Sequence, residues 1–320
     1  MSVILKAGVA VLALSMPASA SVLSNTFTSY YAFGDSLTDD GKLGQLFPPS
    51  LEGRFSNGPT YAEILADDFT DAGLDTGNFA LGGATANDQN LEPLSPLSTF
   101  SGQIATFGGA LSAGAVAPGS NPLVSVFFGA NDFFQGRNPL EAAGDVAQGI
   151  RNIAALGEGF NDFLLLGLPD IGSTPAFAGE GSEAASAATV IFNAKLARYV
   201  RSFEVNYGLS ITNFDTDAVF QSVIDSVEGG TFDFGILDVT TPCTVSLSAP
   251  GPSCIDLGID PNTLLFADAV HPNAIAHELL ADAIIARYET DLNVVPLPAT
   301  LPLLLVGMFG MGVLARRKSA

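Results

Sequence analysis

Ser36 lies in Gly34-Asp35-Ser36-Leu37-Thr38-Asp39, directly after a short apolar run. His271 closes Asp268-Ala269-Val270-His271, just before the last helical stretch. A serine hydroxyl is a weak nucleophile until a base takes its proton, and histidine is the usual base near neutral pH. The chain has only two histidines, His271 and His277. His277 falls six residues on, within the helix body and off the face of His271, which makes it the weaker candidate. Asp268 can accept from the imidazole and hold one tautomer. Acyl transfer also needs donors for an oxyanion. The backbone N–H groups of Ser36 and of Gly83, in Gly82-Gly83-Ala84-Thr85, can serve, as can the amide of Asn131 in Gly129-Ala130-Asn131-Asp132. Each motif alone has a plain structural reading. Gly-Asp-Ser can be a simple turn, Gly-Gly-Ala a small-residue contact, Asn131-Asp132 a helix cap, and His271-Pro272 an exposed helix start. Their joint order, each at a strand end, is what points to a catalytic set.

The elements that must position these groups alternate. Short apolar runs at 30–33, 77–81, 123–128, 163–168 and 209–214 read as strands buried on both faces. Helices are expected over 61–71, 103–112, 140–156 and 183–207, with a last one over 273–289 after Pro272. In the fourth, Val190, Ile191, Ala194, Leu196, Ala197 and Val200 suggest the buried stripe. This alternation predicts an α/β fold with a parallel sheet, whose ligands sit at the carboxyl ends of the strands. Residues 91–99 and 113–122 read as surface loops, and 231–261 as a longer insertion. Phe127 and Phe128 read as core, whereas Phe133 and Phe134 can flank an acyl pocket.

These blocks resemble the SGNH hydrolases, the GDSL lipase/esterase family, whose Ser, Gly, Asn and His map onto Ser36, Gly83, Asn131 and His271 with Asp268. Gly83 is preferred over Gly82 because it lies five residues after Asn78, as in the family block. Gly53-Arg54-Phe55-Ser56-Asn57-Gly58-Pro59 and Leu168-Pro169-Asp170-Ile171-Gly172 resemble the lecithinase/haemolysin-like secreted branch. The resemblance covers about Tyr30 to Tyr288, while 231–261 matches no family block. It implies a three-layer α/β/α, flavodoxin-like fold with a five-stranded parallel sheet. It also implies a Ser36-His271-Asp268 triad working through an acyl-enzyme, with no cofactor and no metal. The Gly-x-Ser-x-Gly elbow of α/β-hydrolases is absent around Ser36, which excludes that fold.

Composition sets the context. Apolar residues make up 48% and charged ones 14%, enough for a sizeable core. A formal charge of −21 repels phosphate backbones, so no nucleic-acid partner is expected. Residues 1–20 read as a signal peptide, with Lys6, an apolar run and Ala18-Ser19-Ala20. Export makes a Cys243–Cys254 disulfide the expectation, two free thiols being the alternative. Residues 21–293 would form the hydrolase domain. The tail at 294–320 joins Val295-Pro296-Leu297-Pro298-Ala299, an apolar run and Arg316-Arg317-Lys318. It resembles the VPLPA variety of PEP-CTERM sorting signals of Gram-negative bacteria, which implies an exosortase-type partner; a plain membrane anchor is the alternative. The expected substrate is a lipid, a small ester or an acylated glycan, met at the cell surface, in the matrix or outside the cell. The competing reading is a non-catalytic surface or matrix protein on a hydrolase fold.

Overall fold

The computed structural model describes residues 21–291, except 158 and 180. The expected signal peptide at 1–20 and the tail at 294–320 lie outside the described residues.

The elements run α1 (Val22–Thr26), β1 (Ser29–Gly34), α2 (Tyr61–Asp71), β2 (Asp75–Asn78), α3 (Phe100–Ser112), β3 (Pro122–Phe127), α4 (Ala130–Phe134), α5 (Pro139–Ala154), β4 (Asp162–Leu166), α6 (Ser182–Tyr207), β5 (Ser210–Phe214), α7 (Thr216–Glu228) and α8 (Ala274–Asp291). The five strands form one parallel sheet in the order β2-β1-β3-β4-β5. β1 and β3 are buried along their whole length, as their unbroken apolar runs require. Helices α1, α2, α7 and α8 pack together as one layer, and α3, α5 and α6 as the other. The expected three-layer α/β/α architecture is therefore present. The strand order reverses between β1 and β3, the place where open sheets of this kind form a crevice. The carboxyl ends of these two strands lead directly into Ser36 and Asn131.

Four local expectations need correction. The second strand is Asp75–Asn78, not 77–81. It is a half-buried edge strand of polar residues, and the apolar residues after it lie in a turn whose Phe79 N–H still reaches the Ala32 carbonyl. Helix α7 falls in a stretch assigned to no element, although Asp215 caps it through the Ala218 N–H and Phe220 and Val223 are buried. In α6 the buried face is Thr189, Phe192, Leu196, Val200 and Phe203, while Val190 and Ile191 point outward. Finally, α8 starts at Ala274 with Asn273 accepting from the Ala276 N–H, and Pro272 instead bridges to Phe266.

Candidate active site

Gly34 ends β1 without a left-handed turn. Its role is space: a Cβ there would sit 2.5 Å from the Thr38 hydroxyl and 2.9 Å from the Phe127 carbonyl. Gln103 clamps the same residue, accepting from its N–H at 3.1 Å and donating to its carbonyl at 2.8 Å. The chain then turns through Asp35 to Ser36. His271 arrives from a tight reversal in which the Ala267 N–H donates to the His271 carbonyl at 2.8 Å.

The two meet. Ser36 Oγ lies 2.7 Å from His271 Nε2, and His271 Nδ1 lies 2.8 Å from Asp268 Oδ1. Asp268 Oδ1 also accepts from the N–H groups of Val270 and His271, at 3.0 and 2.9 Å. Burial alone would raise the Asp268 pKa, but the His271 charge and these hydrogen bonds hold it below the ordinary carboxylate value. An ionised carboxylate only accepts, so Nδ1 carries the proton and Nε2 is left to accept from the Ser36 hydroxyl. Phe55 packs on the imidazole with ring centroids 4.8 Å apart, limiting its tilt. His277 is a different group. It is buried, accepts from the Tyr61 N–H through Nδ1 at 3.3 Å, and has its pKa pushed down to about 4 by burial. It is a neutral core residue at working pH.

The donor side is equally ordered. Asp39 is fully buried and accepts from the Gly82 N–H at 2.8 Å, which commits that donor. The Gly83 N–H and the Ser36 N–H find no acceptor among the described residues. Gly83 sits at φ +78°, a left-handed conformation that glycine adopts without cost. Thus Gly83, not Gly82, has an available N–H. Asn131 donates one amide hydrogen to the Ala84 carbonyl at 3.0 Å, leaving the second free for a ligand. The preceding Gly129, at φ +125°, lies where a Cβ would be 2.5 Å from the Phe192 ring. All five expected residues, Ser36, Gly83, Asn131, Asp268 and His271, thus come together. All but Asp268 line one cleft of about 500 Å³ whose rim includes Leu91, Leu94 and Phe134.

Residue-type reasoning missed the groups that brace this arrangement. Asp132 is buried and accepts from the Ala86 and Asn87 N–H groups at 2.9 and 3.1 Å, tying the Gly83 segment to the Asn131 segment. Burial pushes its pKa up to about 6. Asn90 donates to the Gly83 carbonyl at 3.0 Å. Asp35 is buried with Oδ2 unpaired, and burial pushes its pKa up to about 7. Asn57 accepts from the Ala274 N–H at 2.8 Å and so fixes the start of α8 beside His271. Asp35, Asn57 and Asp132 stand in the motifs and Asn90 in none, and the partners of all four carry no signal in the sequence.

The profile of the GDSL-like lipase/acylhydrolase family matches residues 30–284. The chain belongs to this family. The class expected from the motifs, a hydrolase of ester bonds, is the class the family carries. Among curated relatives of this GDSL-family chain, a phosphatidylcholine-sterol acyltransferase of Aeromonas hydrophila is 31% identical over 232 residues, covering 68% of this chain and 65% of that protein. The chain therefore spans just under two thirds of that relative's length. An acetylesterase of Thermothelomyces thermophilus is 27% identical over 277 residues, covering 79% of this chain and 85% of that one. Among solved structures, a lipolytic G-D-S-L protein from Veillonella parvula aligns over 82% of this chain and 96% of its own at 15% identity and a TM-score of 0.43. The disulfide expected between Cys243 and Cys254 is formed.

Proposed function

We propose that this chain is an exported serine esterase that cleaves carboxylic esters through Ser36, His271 and Asp268. One observation carries the reading: the unbroken Ser36–His271–Asp268 hydrogen-bond chain beside two backbone N–H groups without acceptors among the described residues. Ser36 Oγ attacks the ester carbonyl carbon as His271 Nε2 takes its proton. The oxyanion accepts from the Ser36 and Gly83 N–H groups and the Asn131 amide. His271 then returns the proton to the departing alcohol, leaving an acyl-Ser36 ester. Water, deprotonated by His271, repeats the sequence and releases the acid.

Shape supports a short acyl group on a bulky alcohol, the polysaccharide O-acetylesterase version of this activity. A chamber of about 40 Å³ beside Ser36, walled by Leu37, Ala130, Leu168, Ile171 and Val270, adjoins the open cleft of about 500 Å³. A departing alcohol needs the open side. The acetylesterase relative is consistent with this. We further propose residues 1–20 as signal peptide, 21–293 as the catalytic domain of a lecithinase/haemolysin-like enzyme, and 294–320 as a VPLPA-type tail read by an exosortase-type enzyme in a Gram-negative envelope. A panel of p-nitrophenyl and glycan esters tests the activity on wild type and Ser36→Ala. Turnover by wild type alone is expected. Equal, background turnover by both would favour a non-catalytic surface protein on this fold.

A further inference from the structure

The stretch 231–261, read from the sequence as an insertion, reaches the candidate site. Its segment from Cys243 to Cys254 is closed by the disulfide, across which the Cys254 N–H also donates to the Cys243 carbonyl at 2.6 Å. One flank is laid along the strand-like approach to Asp268: the Cys243 N–H donates to the Phe266 carbonyl at 3.0 Å and the Thr244 N–H to the Ala267 carbonyl at 3.2 Å. Leu247 lies inside the closed segment. Its side chain is fully buried against Phe55 and Ala267, and its carbonyl accepts from the Phe47 N–H at 2.8 Å. Its own N–H donates to Asp268 Oδ2 at 3.3 Å.

That bond has a particular place in the carboxylate's surroundings. Oδ1 accepts three hydrogen bonds, including the one from His271 Nδ1. Among the described residues, Oδ2 accepts only from Leu247. A buried anionic oxygen without a donor is costly, and a carboxylate held on one oxygen alone is free to twist. Within the closed segment Thr244 Oγ1 also donates to the Pro252 carbonyl at 3.2 Å, while residues 248–252 are exposed. The disulfide limits how far Leu247 can stray by shortening the free loop.

We propose that the disulfide-closed loop is a positioning device for the catalytic acid: the Leu247 N–H fixes Asp268 Oδ2, and breaking the Cys243–Cys254 bond lowers turnover. Leu247 does not line the cleft, although Ser248 beside it does; it acts through Asp268, so the proposal rests on the triad reading above. Opening the disulfide loosens Leu247, Asp268 turns, and His271 loses the partner that keeps its proton on Nδ1.

The test is a cycle on the full chain. Cys243→Ser/Cys254→Ser is made in the wild-type and Asp268→Asn backgrounds, and kcat and KM are read with p-nitrophenyl acetate. In the wild-type background kcat is expected to fall about 10-fold, the scale of one buried hydrogen bond, with KM changed less than about twofold. In the Asp268→Asn background the same change is expected to alter kcat less than about twofold, because the group it positions is already compromised. Leu247→Pro, which removes this donor together with the buried leucine side chain, should repeat the pattern with the disulfide intact, whereas Leu247→Ala, which keeps the N–H, should lower kcat less. Should the serine pair fail to fold, reduction of the folded protein with TCEP, followed by reoxidation, supplies the same comparison, and recovery of kcat is expected. An unchanged kcat, or equal losses in both backgrounds, overturns the proposal. Absence of Ser36-dependent hydrolysis in untreated wild type overturns the esterase reading itself, a result distinct from both.

Discussion

The two halves of the site are braced in different ways. On the donor half, buried carboxylates of the core reach out to backbone N–H groups: Asp39 holds Gly82, and Asp132 holds Ala86 and Asn87. Those carboxylates lie in the segments that immediately follow β1 and β3, so the sheet itself sets the spacing between Gly83 and Asn131. On the base half the direction is inverted. There the carboxylate is the proposed triad acid, and backbone N–H groups from a reversal and from the Cys243–Cys254 loop converge on it. The first half inherits its rigidity from the fold. The second draws on the short segment from Cys243 to Cys254, closed by one disulfide. The comparison teaches that one part of a site can be spaced by the sheet through carboxylates placed just after its strands, while the other is held by bonds from a loop distant from the sheet.

Breaking the base half should have the larger effect. Asp268→Asn keeps the shape but cannot accept from Nδ1–H in the same way, which favours the wrong tautomer. A loss of about 10⁴-fold in kcat is expected by steady-state assay, in a variant shown by circular dichroism to be folded. On the donor half, Asn131→Ala removes one of three donors and should lower kcat by about 100- to 1,000-fold with KM little changed. A loss for Asn131→Ala larger than for Asp268→Asn would reverse the proposed ranking of the halves.

A smaller effect reports on the buried carboxyl beside Ser36. The Asp35 pKa is pushed up to about 7 by burial, well above its value in an unfolded chain. The folded state therefore holds this proton more tightly, and the associated stability is lost as pH rises through about 7. His277, depressed to about 4, works in the opposite sense but only below about pH 6.5, where the unfolded chain takes up its proton. Between pH 6.5 and 8 the Asp35 contribution should cost about 1 kcal/mol, on the order of 2–4 °C in melting temperature. Asp35→Asn should flatten that slope when melting is followed by circular dichroism; an unchanged slope would contradict the assignment.

Much of this was legible in the chain. Ser36, Gly83, Asn131, Asp268 and His271 stand at element ends in a fixed order, so residue type and position together pointed to them. The apolar runs of β1, β3 and β4 identified a parallel sheet because both their faces are covered. What escaped reading has a physical reason in each case. β2 is an edge strand made of Asp, Thr, Gly and Asn, with no apolar signal to find. In α6, Val190 and Ile191 imitate a buried stripe, but the helix is turned so that Phe192 and Leu196 face inward. Spacing after Asn78 favours Gly83 over Gly82, but the bond that the Gly82 N–H donates to Asp39, 43 residues earlier, has no signal in the sequence. The Leu247 contribution is a backbone N–H, which every residue but proline carries, so no side-chain pattern could announce it.

The central claim is that Ser36 is the nucleophile that His271 activates. It is tested most directly by treating the folded protein with a fluorophosphonate probe and mapping the adduct by peptide mass spectrometry. The account predicts one adduct, on the Ser36 peptide of wild type, absent in Ser36→Ala and formed far more slowly in His271→Ala. A wild-type protein that stays unlabelled, or an adduct on another serine that persists in Ser36→Ala, would contradict it.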